Sequence, residues 1–100
     1  MNKTNAGTWE SACRDKCAEL AEVLIGKQYD YGKDNINDFG QFGILVRMND
    51  KFARWKNLAE KGTEAVNDPL SDTKMVISGY GILSLMLEDG TFGLPYGEKE

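Results

Sequence analysis

The sequence predicts an all-α protein, a compact three-helix domain with a long glycine- and aromatic-rich loop between the first two helices. Apolar residues recur at helical spacing near 8–28 and again near 41–61, and a third segment, 69–89, is apolar almost throughout. A chain of 100 residues has the size of one domain. We therefore expect a single helical domain, with irregular ends at 1–7 and 91–100.

The first predicted helix begins at Thr8, whose hydroxyl can cap its first turn. Its apolar stripe follows steps of three and four residues and consists of Trp9, Cys13, Cys17, Leu20 and Leu24. An i, i+4 pair on one helix does not readily reach disulfide geometry. Free cysteine is among the residues most often buried, so we expect both cysteines to pack in a core. A redox or metal role is the alternative.

The second predicted helix concentrates the basic charge of the chain. Residues 41–61 contain five basic and two acidic residues, a net charge of +3, although the whole chain carries −4. Its apolar seam is Leu45, Met48, Phe52, Trp55 and Ala59, and Gly62 is the expected stop. Arg47, Lys51 and Arg54 form a neighbouring stripe, and Asp50 lies within reach of both arginines. Basic charge this local favours a small anionic ligand, and a solvated face of salt bridges is the alternative.

The third predicted helix begins at Asp68-Pro69, with aspartate as N-cap and proline in the first turn, and ends at Gly90. It carries no charge from Met75 to Leu87. Two partner helices cannot cover every side of such a helix, so we predict a homo-oligomer that associates through it. A buried strand at 75–87 is the alternative.

The loop at 29–43 combines glycine, asparagine and aspartate with aromatic side chains. Its backbone N–H groups and the positive end of the following helix can hold phosphate oxygens, the arginines can grip phosphate, and the aromatic rings can stack on a base. The predicted ligand-binding residues are Tyr31, Gly32, Asn35, Asn37, Phe39, Phe42, Arg47, Lys51, Arg54 and Trp55, supported by Asp50, Asp72 and Tyr80.

The absence of histidine excludes histidine-based zinc sites and Ser-His-Asp or Cys-His catalysis. Glu19 and Glu22 have the spacing of a magnesium-binding pair, but Met75 and Val76 stand where Asp72 would need a partner acid. We therefore predict no catalytic residue, no metal ligand and no cofactor. Mg²⁺ enters only under the alternative of an enzyme.

Three groups of residues follow one another along the chain. They are Lys27-x-x-Asp30-Tyr31-Gly32, then Asn37-x-Phe39-Gly40 with Gly43 and Arg47-x-x-Asp50-Lys51-x-x-Arg54, then Asp72-Thr73 with Tyr80. Together they resemble the nucleotide-modification-associated domain family, small helical proteins of phages and bacteria. The resemblance implies a protein that binds or acts on nucleotides. Members often carry a second aspartate where this chain has Val76, which favours holding phosphates over cleaving them.

These features predict a protein that binds a nucleotide or a related phosphorylated small molecule, and a phage setting suggests that it sequesters a nucleotide signal of host defence. One alternative is a Mg²⁺-dependent nucleotide pyrophosphohydrolase using Glu19, Glu22 and Asp72. Another is a non-catalytic inhibitor acting by protein–protein contact. With a pI of about 4.8 and no apolar run of membrane-spanning length, we expect neither duplex nucleic acid nor a membrane as partner. We expect a cytoplasmic location, in the host if the protein is phage-encoded.

Overall fold

The computed structural model describes residues 7–97, and every regular element within them is helical. The prediction of an all-α fold with three substantial helices is therefore confirmed. The alternative of a strand at 75–87 is wrong, because these residues form the body of the last long helix. The elements in order are α1 (Trp9–Tyr31), α2 (Asp34–Asn37), α3 (Gly40–Lys61), α4 (Leu70–Asp89) and a 3₁₀ helix (Thr91–Gly93).

The chain divides after Asp34 into two compact units, and α1 belongs to the first. Its start is as predicted, because the Thr8 hydroxyl accepts a hydrogen bond of 3.1 Å from the backbone N–H of Ser11. Its end comes later than expected, at Gly32, which has a φ of 76°. Gly32 and Gln28 are joined by two hydrogen bonds, one from the glycine N–H at 2.9 Å and one from the glutamine side chain at 2.6 Å.

The apolar stripe of α1 finds no core within the first unit. No residue of α1 is buried, and Trp9 is 77% exposed. Cys13 and Cys17 are exposed free thiols, so the expected burial of the cysteines is wrong. The physical reason is that one helix makes up nearly the whole unit, and a helix cannot bury its own stripe.

The segment predicted as a long loop, 29–43, is largely helical. It contains the last turn of α1, the whole of α2 and the start of α3. Its glycines separate helices instead of holding an extended loop, since Gly32 and Gly40 both have positive φ, 76° and 57°. In the second unit, Ile36 of α2 is buried, and the two asparagines that flank it in the sequence are part of the same helix.

In the second unit α3 packs against α4, and two pairs of hydrogen-bonded residues fix their direction. Gln41, in the first turn of α3, bonds Ser84 near the end of α4. Arg54, towards the end of α3, bonds Thr73 near the start of α4. The two helices are therefore antiparallel.

The same register can be followed along the whole contact between the helices. It places Ile44 of α3 opposite Leu83 of α4, and both of these side chains are buried. It also places Lys51 opposite Val76, both of them half-buried. Gly79 lies between these two layers and is buried too.

The apolar seam predicted for α3 is only partly used in this contact. Leu45 is 61% exposed and Phe52 is 48% exposed, whereas Met48 and Trp55 are half-buried. Three basic residues share the half-buried positions of α3, namely Arg47, Lys51 and Arg54. Long basic side chains can lay their methylene stems on a neighbouring helix while the charged ends reach solvent. The basic stripe therefore borders α4.

Left-handed glycines stop both long helices of the second unit, as predicted. Gly62 ends α3 with a φ of 66°, and Gly90 ends α4 with a φ of 84°. The start of α4 lies one residue later than predicted, at Leu70. Pro69, and not Asp68, occupies the N-cap position there, without a side-chain hydrogen bond.

The predicted irregular tail contains one ordered turn, the 3₁₀ helix, which packs against α4. Phe92 of this turn is buried and completes a small core with Ile36, Ile44 and Leu83. Among residues 7–97, no helix combines the length and the apolar character needed to cross a bilayer.

Candidate functional site

The predicted ligand-binding residues are divided between the two units. Tyr31 and Gly32 end α1 in the first unit, whereas Asn35 and Asn37 flank Ile36 in the second. The other predicted residues lie on or beside the long antiparallel pair: Phe39, Phe42, Arg47, Asp50, Lys51, Arg54 and Trp55 at α3, Asp72 and Tyr80 on α4. The candidate site is therefore built on α3.

One row of α3 joins four of these residues. Side chains four residues apart are neighbours on a helix surface, and a row at this spacing consists of Phe39, Gly43, Arg47, Lys51 and Trp55. We call this row the α3 ridge. It has an aromatic side chain at each end and two cations between them. The predicted ligand-binding residues include all its members except Gly43, but the sequence alone presents the aromatic and basic residues as separate groups.

The N-terminal end of the α3 ridge depends on glycine. Phe39 occupies the N-cap position of α3, and its side chain is 68% exposed. A Cβ atom added to Gly43 would lie 2.4 Å from the Cβ of Phe39, far inside van der Waals contact. The missing side chain at Gly43 is therefore what allows the phenylalanine to lie over the first turn.

The first turn of α3 has no acidic side chain, and Phe39 provides no side-chain cap. The first backbone N–H groups of a helix have no partner within the helix, and they attract anions. Helical side chains tilt towards the N-terminus, so Arg47 extends back over the turn that contains Gly43.

The two cations of the α3 ridge have no protein counter-ion. Arg47 and Lys51 are half-buried, and neither forms a hydrogen bond or an ion pair within residues 7–97. Asp50, which helical spacing places within reach of both arginines, is exposed and forms an ion pair with neither Arg47 nor Arg54. Partial burial of an unpaired cation costs free energy, which a bound anion would offset.

Arg54 is engaged inside the protein instead. One terminal nitrogen of its guanidinium donates to the hydroxyl of Thr73, which is only 4% exposed. The other donates to the backbone carbonyl of Asp68 at 2.5 Å. These bonds satisfy the hydroxyl of Thr73 and connect α3 to the start of α4. Helical spacing within α3 could not predict this partner of Arg54, because Thr73 lies on α4.

Trp55, at the other end of the α3 ridge, already has a cation on one face. The Lys74 ammonium lies 5.0 Å from the centre of its ring, within the range of a cation–π interaction. A base could stack on that face only by displacing Lys74. The open rings lie at the opposite, N-terminal end of α3 and belong to Phe39 and Phe42, the second of them 73% exposed.

The acidic residues considered for magnesium do not form a cluster. In the part of the chain that the structure describes, no group of three His, Cys, Asp or Glu residues is placed to hold a metal ion. Glu19 forms an ion pair of 3.2 Å with Lys16 on the surface of α1. Asp72 is exposed near the start of α4.

No family model, curated protein or solved structure matches this chain. The resemblance to the nucleotide-modification-associated domain family therefore stays a prediction.

Proposed function

We propose that the second unit binds a nucleotide or a related phosphorylated small molecule on the α3 ridge. One observation carries this proposal: an exposed aromatic ring, Phe39, is followed along the same row by two half-buried cations without partners, Arg47 and Lys51. The base would stack on Phe39, and the phosphates would lie against Arg47 and Lys51.

The spacing of these groups suits a phosphate chain. Side chains four residues apart have Cβ atoms about 5–6 Å from each other, so Arg47 and Lys51 can bind neighbouring phosphate oxygens together. A guanidinium can bind two oxygens at once, and an ammonium can act beside it as a point charge. The uncapped first turn of α3 adds positive potential at the same end.

We propose further that the ligand is held without being cleaved. Two features support this: the described residues contain no carboxylate cluster for a metal ion, and Val76 stands where the resembled family often has an acid. This fits the expectation of a phage protein that sequesters a nucleotide signal of host defence in the host cytoplasm. The resemblance supports the class of ligand, and the α3 ridge supports its location.

We also propose that the protein self-associates. Leu85 of α4 is 63% exposed, and it is accompanied by exposed apolar side chains at Leu45, Phe52 and Ile82. A monomer would leave this apolar area in water, whereas a second copy would bury it. Self-association extends the sequence prediction for the last long helix to α3 as well.

A thermal-shift and calorimetric panel tests nucleotide binding. The panel contains AMP, ADP, ATP, cyclic AMP and a cyclic dinucleotide, each with and without Mg²⁺. Arg47→Met should weaken the best ligand about tenfold or more, since it removes a charged hydrogen-bond donor. Lys56→Met is the matched control, because it removes one charge from an exposed position of α3 outside the ridge and should change affinity little.

Chromatography of the ligand after denaturation distinguishes holding from cleavage. Recovery of the unaltered nucleotide supports sequestration, and recovery of a cleaved product supports the pyrophosphohydrolase alternative. If no member of the panel shifts the unfolding temperature, the nucleotide proposal fails and inhibition by protein–protein contact becomes the better hypothesis.

A further inference from the structure

We infer that Val76 determines how strongly the α3 ridge binds anions, because it leaves Lys51 without a carboxylate partner. This inference rests on the proposed function and concerns the same site. It places the anionic groups of the ligand at the contact between α3 and α4. It also identifies a residue of α4, outside the ridge, that controls the affinity.

The placement of Val76 follows from the register of the two helices. The bonds of Arg54 to Thr73 and of Gln41 to Ser84 fix that register at two points along the contact. Val76 is one turn beyond Thr73 on α4, and Lys51 is one turn before Arg54 on α3. The two residues are therefore opposite one another, and both are half-buried.

No other acid compensates the charge of Lys51. The carboxylate nearest to Val76 along α4 is Asp72, which is exposed, and on α3 it is Asp50, also exposed. Neither forms an ion pair within the described residues. An apolar side chain at 76 thus keeps a partly desolvated cation available to a ligand. An aspartate there would take the place of the ligand as counter-ion.

The ligand class follows from this position. Lys51 lies beside Arg47 at the contact between α3 and α4. Two neighbouring cations recognise the phosphate groups of a ligand and not its base. Inorganic pyrophosphate, which has no base, should therefore bind by itself. Its affinity should fall with rising salt, since the interaction is between charges that are only partly shielded from solvent.

Isothermal titration with inorganic pyrophosphate tests the inference. Val76→Asp should weaken binding about tenfold or more, whereas Val76→Asn, of similar size but without charge, should weaken it less than about threefold. Lys51→Met should also weaken binding about tenfold, and Lys56→Met should not. In the Lys51→Met background, Val76→Asp should cause no further loss, because the cation it neutralises is absent.

A ligand-free measurement keeps the test independent of nucleotide binding. If Val76 faces Lys51, the Val76→Asp protein should unfold about 4 °C or more above the Val76→Asn protein at neutral pH. The difference should shrink as the pH falls below about 4 and the carboxylate becomes protonated, and it should vanish in the Lys51→Met background. Equal unfolding temperatures at neutral pH, in folded variants, overturn the placement of Val76 opposite Lys51.

The two proposals fail in different ways. If the wild-type protein binds a nucleotide but Val76→Asp binds pyrophosphate as well as Val76→Asn does, the role of Val76 is wrong and the proposed function stands. If the wild-type protein binds neither pyrophosphate nor any nucleotide, the proposed function itself fails. If Val76→Asp does not fold, Lys51→Met decides, and its unchanged affinity for pyrophosphate overturns the inference.

Discussion

Arg54 of α3 donates a hydrogen bond to the buried hydroxyl of Thr73 at the start of α4. The same guanidinium donates to the carbonyl of Asp68 just before that helix. Arg54 thereby connects the two long helices of the second unit close to the segment, 62–69, that joins them. Arg54, which the sequence predicted to bind phosphate, therefore binds residues of the protein itself.

Loss of the Arg54 contacts should reduce stability. Arg54→Met removes two hydrogen bonds from a charged donor and leaves the hydroxyl of Thr73 buried without its partner, so we expect a loss of about 2 kcal/mol. Thr73→Val should cost less, about 1 kcal/mol, because the arginine can still reach water. Urea unfolding of both variants and of the double variant measures their coupling. Arg47→Met removes a half-buried cation without a protein partner, so the unfolding midpoint should stay unchanged or rise slightly.

Gly43→Ala should disturb the end of the α3 ridge although alanine favours helices. The added methyl would collide with Phe39, so the phenylalanine must move and nucleotide affinity should fall. Gly81→Ala is the matched control, since its new Cβ has no atom within 4 Å to meet and it should stabilise α4 by up to about 1 kcal/mol. Thermal unfolding and calorimetry report both effects. A stabilised Gly43→Ala protein with unchanged affinity would argue against the role of Phe39.

Gln41 and Ser84 should contribute unequally to the contact between α3 and α4. The glutamine amide donates to the Ser84 carbonyl at 2.8 Å and accepts from the Ser84 hydroxyl at 2.5 Å. Gln41→Ala loses both bonds and should cost about 1 kcal/mol, since the pair is exposed. Ser84→Ala keeps the bond to the carbonyl and should cost about half as much. Equal losses in urea unfolding would contradict this account.

The turn after α4 should depend on pH through Asp89. The hydroxyl of Thr91 donates to the carboxylate at 2.6 Å and its backbone N–H at 2.9 Å, and these bonds lower the pKa of Asp89 below its usual 3.8. A lowered pKa means that the turn is stabilised above pH 3.8 and loses this contribution as the pH falls through the folded-state pKa. An NMR titration should show Thr91→Val raising the pKa of Asp89 towards 3.8.

Self-association should depend on Leu85. This side chain is 63% exposed on α4, so Leu85→Glu should preserve the fold while placing a charge in the proposed contact between copies. We expect a smaller assembly by sedimentation, with an unchanged helical circular dichroism spectrum. Glu64→Lys, an exposed charge change in the segment before α4, is the control and should leave the assembly intact. A wild-type monomer at micromolar concentration would contradict the proposal.

Most helix boundaries were predictable because they depend on residues within a single turn. Thr8 caps α1 with its own hydroxyl, and Gly62 and Gly90 end α3 and α4 in the left-handed conformation that glycine adopts without strain. The segment 29–43 was harder to predict, since its asparagines and glycines are equally compatible with a loop and with short helices separated by turns.

Most residues of the candidate site could also be named from the sequence, because charge and aromatic character are properties of single residues. Arg47, Lys51 and Phe39 could be named from their chemistry alone. Their arrangement as one ridge with Gly43 required the start of α3 to be known. A helix that began a few residues later would leave Phe39 in a loop and remove it from the row.

The sequence by itself determined the helical class, most of the helix ends and the concentration of basic charge on one helix. Only the tertiary structure decided which face of α3 meets α4. Leu45 and Phe52 offered an apolar face, yet the contact is made around Ile44 and borders the basic row. The reason is that contacts between helices depend on residues distant in the sequence, such as Thr73 for Arg54. Periodicity within one helix carries no information about them.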